Sequence, residues 1–198
     1  IMAVHPPNPK YIPKPYEQMD YPGQRIQVDV KFVPSACLKN PKVIGKQFFQ
    51  YTAIDEYSRW RFVEAFEEHN TYSSAMFIEH LVKAFPLPIQ CIQTDNGAEF
   101  TNRFTTHRDK PTLFQVHLKQ HGIRHKVIRP FTPRHNGKVE RSHRKDNERF
   151  YATHTFYSFE DFAKQLKVYN RRDYNNFPMP PLGWKSPNQV LKDYLASV

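Results

Sequence analysis

The stretch Arg25-Ile26-Gln27-Val28-Asp29-Val30-Lys31-Phe32-Val33 alternates without a break. Ile26, Val28, Val30 and Phe32 fall on one side and Arg25, Gln27, Asp29 and Lys31 on the other, the period of two that a β-strand imposes on its side chains. Asp29 therefore projects from the face opposite the apolar stripe. Two more strand-like runs follow at 47–54 and 60–66, joined by the turn Asp55-Glu56-Tyr57-Ser58, and three consecutive strands suggest an antiparallel meander. Downstream the period changes. Over 71–85, Ala75, Ile78, Leu81, Val82 and Phe85 recur at helical spacing, and Pro86 and Pro88 stop the helix. A short strand at 89–94 runs into Asp95-Asn96-Gly97. A helix over 113–120, stopped by Gly122, leads to a strand at 123–128. The order β-β-β-α-β-α-β predicts an α/β domain built on a mixed five-stranded sheet flanked by helices.

Beyond this unit the chain turns helical. After a proline-bracketed loop, 129–136, a long polar helix is expected over 138–152 and another over 159–169. The tail carries Pro178, Pro180, Pro181 and Pro187; Ser186-Pro187 reads as an N-cap followed by proline at the first helical position, opening a last short helix over 188–195. At the other end, six prolines within the first 22 residues remove too many backbone donors for a regular helix or central strand. The expected organisation is a proline-rich arm over 1–22, a core over 23–175 and a proline-rich C-terminal extension with a short helix over 176–198. Beginning at Ile1, the chain reads as a piece of something longer.

A length of 198 residues suits one main core, and 39% apolar with 15% aromatic residues supports a folded chain. No run approaches a membrane span and the start lacks a secretory signal. Two cysteines, Cys37 and Cys91, give neither a disulfide framework nor a zinc ribbon, which favours a reducing, intracellular and cytoplasmic setting. His117 and His121 share a helical face, but a structural zinc site needs four ligands, so a polar helix surface is the preferred reading. Charge is the first functional clue. The net +10 is concentrated in 101–150, where thirteen Lys or Arg face four acids, a net of +9. Basic surfaces bind polyanions through counterion release, so nucleic acid is the leading partner.

Three acids stand out by position. Asp29 lies on the polar face of the first strand, Asp95 at the carboxyl end of the fourth, and Glu140 in the first turn of the polar helix. Ligand sites of open α/β sheets gather at such strand ends. Three anions sharing a cleft call for a neutralising cation, and hard carboxylate oxygens suit magnesium. Glu99, four residues past Asp95, is read as starting a helix or orienting a partner. Trp60, Phe62 and Phe66 alternate on a strand and are read as core.

The segments Gln27-Val28-Asp29-Val30, Gln93-Thr94-Asp95-Asn96-Gly97-Ala98-Glu99-Phe100 and Pro133-Arg134-His135-Asn136-Gly137-Lys138-Val139-Glu140-Arg141 together resemble the Asp-Asp-Glu recombinase superfamily, which includes retroviral integrases and bacterial insertion-sequence transposases. The resemblance runs from about 25 to 175 and reaches the closing Ser186-Pro187. It implies a ribonuclease H-like fold, with Asp29, Asp95 and Glu140 as catalytic residues holding two Mg²⁺ or Mn²⁺ ions. It further implies cleavage of DNA ends and transfer of the freed strand into target DNA by a DNA-bound homo-oligomer, and for bacterial members a place at the nucleoid. Arg134, Lys138, Arg141 and Arg144 are candidate DNA contacts. Arg144 could instead pair with Glu140 across one helical turn. The loop 129–135 is the candidate element that closes on DNA. Two alternatives stay open: a plain nuclease of the same fold, and a silent DNA-binding or assembly module derived from a transposase. The interval from Asp95 to Glu140 is longer than in typical retroviral integrases, and 105–113 holds the extra residues.

Overall fold

The computed structural model describes residues 17–129 and 136–198. Five strands form one sheet in the order β3-β2-β1-β4-β5: β1 (Ile26–Phe32), β2 (Phe49–Asp55), β3 (Arg61–Phe66), β4 (Cys91–Thr94) and β5 (Arg124–Val127). β1, β2 and β3 pair antiparallel, as the meander requires, with Asp29 opposite Thr52. β4 then joins β1 in parallel, and β5 joins β4 in parallel. The two crossovers carry α1 (Thr71–Ala84) and α2 (Leu113–Gln120). Asn70 caps α1 by accepting from the Ser73 amide, and Thr112 with Gln115 forms a reciprocal capping box on α2.

One face of the sheet packs Ile26, Val28, Tyr51, Ala53 and Ile92 against Phe77, Ile78, Leu81, Phe114 and Leu118 of α1 and α2. Trp60, Phe62 and Phe66 pack against this cluster, as their alternation predicts. On the other face lie α3 (Gly137–Asp146) and α4 (Phe159–Tyr169), while α5 (Pro187–Leu195) contributes Leu191 to the first cluster. Here Phe48 and Val63 meet Phe150, Phe162 and Leu166 in a second cluster. Burial on both faces makes the polar side of β1 an interior surface: Gln27 is only 1% exposed.

The expected helix over 138–152 is α-helical through Asp146 and then widens into a π turn, Asn147–Tyr151. The helix over 159–169 runs on in the same way through Asn170–Tyr174. A π turn brings residues five apart onto one face. Asp146 and Tyr151 thereby both reach Gln50, and Asn170 and Asn175 both donate to the carbonyl of Arg61. The 105–113 segment is a run of turns that ends where Thr112 caps α2.

Candidate active site

The β1–β4 ladder pairs Ile26 with Ile92 and Gln27 with Gln93. Two residues further on, the same register sets Asp29 beside Asp95, the residue after the last of β4. Neighbouring strands lie about 4.8 Å apart and side chains in register share a face, so these two acids are neighbours. Asp95 also turns back on its own loop, accepting the Gly97 amide at 2.9 Å.

The third acid comes from α3, whose start is pinned to β1. The side-chain oxygen of Gln27 accepts the amides of Lys138 at 3.0 Å and Val139 at 3.2 Å. Asn136 donates to the carbonyl of Val28 at 3.3 Å. The Lys138 and Val139 amides are backbone donors that a helix start leaves unsatisfied. One turn further, His143 stands between β1 and β2, with Nδ1 3.4 Å from Asp29 Oδ2 and Nε2 3.1 Å from Thr52 Oγ1. Glu140 lies three residues before His143, on the same flank of the helix and exposed.

The far end of α3 is held by a buried charge pair. Arg61 Nη1 donates to Asp146 Oδ1 at 2.7 Å and Oδ2 at 2.9 Å, with both side chains wholly buried. Gln50 donates to Asp146 at 2.8 Å, Arg61 Nε donates to Asn170 at 2.8 Å, and the guanidinium lies 3.7 Å from the centre of the Tyr174 ring. None of these partners was singled out from sequence. The available signal was Arg61 itself, a charge at the same alternation phase as Val63 and Ala65 on a strand buried on both sides.

The electrostatics show which acids feel one another. Burial raises the Asp95 carboxyl above its usual range, the Gly97 amide draws it back, and the charges of Asp29 and Glu99 push it up again. Glu140 is raised by partial desolvation and then by Asp29, with His143 opposing. Asp29 is the neighbour common to both. Among the described residues, no three His, Cys, Asp or Glu side chains stand close enough to grasp one ion together. The donor set still fits divalent cations of the magnesium kind: oxygen ligands only, with like charges that a cation shared by Asp29 and either partner would relieve.

The remaining sequence candidates are dispersed. Arg134 lies outside the described residues, as do residues 130–135 of the loop expected to close on DNA. Lys138 turns inward, its Nζ donating to Glu56 Oε2 at 2.9 Å and to the Glu56 carbonyl at 3.2 Å. Arg141 and Arg144 are exposed, and among the described residues no ion pair joins Arg144 to Glu140. Glu99 starts no helix. It folds over Gly97 and pairs with His69 Nε2 at 2.8 Å. His117 and His121 both reach Glu79 Oε1 on α1, at 2.8 Å and 2.7 Å. No described helix is long and apolar enough to cross a membrane.

A family model described as "Integrase core domain" matches residues 20–133, and a second with the same description matches residues 121–187. The chain belongs to the integrase core domain family. This integrase core is 29% identical over 126 residues to a protein named as an integrase, ORF3, of Spiroplasma virus SpV1-C74, covering 60% of the chain and 33% of the relative. It is 28% identical over 144 residues to the retrovirus-related Pol polyprotein from transposon RE2 of Arabidopsis thaliana, covering 70% of the chain and 9% of the polyprotein. The chain thus spans a third or less of these relatives. Among solved structures it superposes on the catalytic core domain of BIV integrase with a TM-score of 0.55 at 20% identity, covering 88% of this chain and 95% of that one. The HTLV-2 integrase catalytic core domain in complex with magnesium gives 0.58 at 17% identity, covering 85% and 96%. A simian T-cell lymphotropic virus intasome, in complex with a PP2A regulatory subunit, gives 0.64 at 16%, covering 93% and 60%. The fold is that of integrase catalytic cores, the ribonuclease H-like fold that the resemblance implied.

Proposed function

We propose that this integrase core cleaves DNA ends and transfers the freed strand into target DNA by phosphoryl transfer that depends on divalent metal. The observation that carries the reading is the β1–β4 register, which sets Asp29 beside Asp95 while α3, pinned to Gln27, brings Glu140 into the field of Asp29. Asp29, Asp95 and Glu140 would hold two Mg²⁺ or Mn²⁺ ions, whose contribution when bound is to activate the attacking oxygen and stabilise the leaving one. The magnesium complex of the HTLV-2 core supports this choice of metal. His143 restrains Asp29 from the helix side. Gln27 anchors the helix start, and the Arg61–Asp146 pair anchors its other end. The excess of cations in 101–150 supports DNA as the partner, and the simian T-cell lymphotropic virus intasome together with the HTLV-2 core, whose structure is a trimeric form, supports a homo-oligomer assembled on it. The working unit is the 23–175 core with 176–198 as its extension, acting in the cytoplasm.

The full chain, incubated with labelled element-end DNA and Mn²⁺, is expected to nick the ends and join them to a target, and Asp95→Asn should abolish both steps. Equal joining in excess chelator would overturn the reading. Cutting without joining would identify a plain nuclease. A second reading, a silent DNA-binding module, is favoured by the lack of a three-ligand cluster among the described residues. Its mark is a flat Mn²⁺ titration even with DNA bound.

A further inference from the structure

The helix that presents Glu140 also forms the wall of a second cleft. Lys138, Arg141 and Lys145, three and four residues apart, occupy the flank of α3 turned away from Glu140 and His143. An α-helix with its side chains is about 10–12 Å across, so the two flanks serve separate spaces. The space behind α3 has a volume of about 610 Å³, and its cations are Arg59, Lys138, Arg141 and Lys145, with no acid among its lining residues. Its floor is apolar: Pro180 and Pro181 of the C-terminal segment are the exposed apolar residues that line it, with Ile54 from β2 and Met179 buried beneath. That segment is fixed in place: Met179 packs with Ile54, Val139 and Tyr174, and the backbone around it closes on itself through the Met179 amide to the Lys185 carbonyl at 3.1 Å.

We propose that this cleft is a second DNA-backbone site, taking adjacent phosphates on its cationic wall and the intervening sugar against its apolar floor. The proposal deepens the DNA-processing reading and rests on it for the identity of the polyanion. Lys138 already pairs with Glu56 behind the wall, which leaves Arg141 and Lys145 as like charges one helical turn apart with no acid in the lining, and an anion relieves them. Lys145 is lowered by burial and then by Arg149, Arg141 and Arg61. Lys138 and Arg59 are partly engaged with Glu56. Arg141 and Lys145 make no ion pair among the described residues and carry the proposal. Arg144 and Glu140 face away from the cleft, so a strand held there is distinct from the strand at the acids.

The test is equilibrium binding of the full chain to a fluorescent DNA duplex in excess chelator, as a function of salt. Each phosphate contact contributes about 0.9 to the slope of log K against log salt. Arg141→Gln with Lys145→Gln should lower that slope by nearly 2 and weaken binding about equally for unrelated sequences. Lys39→Gln with Lys42→Gln, exposed lysines before β2, serves as the charge-matched control and should leave the slope unchanged. Thermal unfolding of the cleft variant checks that it is folded. Unchanged slope and affinity in a folded cleft variant overturn the proposal. A second arm titrates inorganic pyrophosphate: binding lost in the cleft variant, together with an unchanged DNA slope, assigns the cleft to small phosphates and also overturns it. Because no metal is present, failure here leaves metal-dependent cleavage standing, and failure of cleavage leaves this result readable.

Discussion

Replacing Asp146 by alanine tests how α3 is held over the sheet. Arg61 and Asp146 are wholly buried and joined by two bonds from Nη1, at 2.7 and 2.9 Å. Without the carboxylate, the guanidinium keeps Asn170 Oδ1 at 2.8 Å and the Tyr174 ring face, while its Nη2 already lacks a partner among the described residues. Breaking a buried pair from one side strands a charge, which costs about 3–5 kcal/mol. That is a large part of the roughly 5–15 kcal/mol of a typical domain. Urea unfolding followed by circular dichroism should show a midpoint lower by about 2 M with an unchanged slope, taking roughly 2 kcal/mol per molar for a domain of this size. Replacing both partners by leucine should recover most of the loss, because no charge is left buried. A loss below about 1 kcal/mol for Asp146→Ala, or a double variant as unstable as the single one, would refute the assignment of this pair as the anchor of α3.

Two further outcomes follow from the site and its surroundings. In Gly97→Ala the new methyl meets the Glu99 carboxylate, a flexible end that can swing away, so the fold should survive while the Glu99–His69 contact at 2.8 Å opens. With the charge of Glu99 moved off, Asp95 should titrate lower, as read by carboxyl carbon NMR; an unmoved Asp95 contradicts the arrangement. His125 is lowered from 6.5 to about 4 by burial. The unfolded chain therefore takes up a proton that the folded chain refuses, and stability present above pH 6.5 is lost as pH falls toward 4. The whole displacement corresponds to about 3 kcal/mol. His125→Gln should flatten that limb of a stability-against-pH curve, and an unchanged limb would place the acid sensitivity elsewhere.

What the sequence made legible was what local periodicity encodes. The alternation of 25–33, the helical spacing of 71–85 and the stops at Pro86 and Gly122 gave the element order. The packing of Trp60, Phe62 and Phe66 against the core followed from the same pattern. Asp29 and Asp95 could be placed on their strands, but their adjacency depends on the parallel β1–β4 register, which local sequence does not encode. The polar face of β1 is interior, since Gln27 serves as the acceptor for the start of α3. That role depends on a helix 110 residues away along the chain. The π turns were hidden for a related reason: helical periodicity alone does not mark the extra residue that lets Asp146 and Tyr151 share Gln50, or Asn170 and Asn175 share the Arg61 carbonyl. Lys138 shows the limit of reading charge as surface, because a lysine with a cationic neighbourhood in sequence folds inward onto Glu56.

In the proposed metal site Asp29 is shared between Asp95 and Glu140 in holding divalent cations. Calorimetric titration of Mn²⁺ into the DNA-bound chain tests it most directly, with Asp29→Ala and Glu140→Ala beside the wild type. The expected result is saturable binding that weakens as pH falls into the raised range of Asp95 and Glu140, that is lost in Asp29→Ala, and that survives in part in Glu140→Ala. A wild-type titration with no heat, or an Asp29→Ala variant that binds as the wild type does, would contradict it.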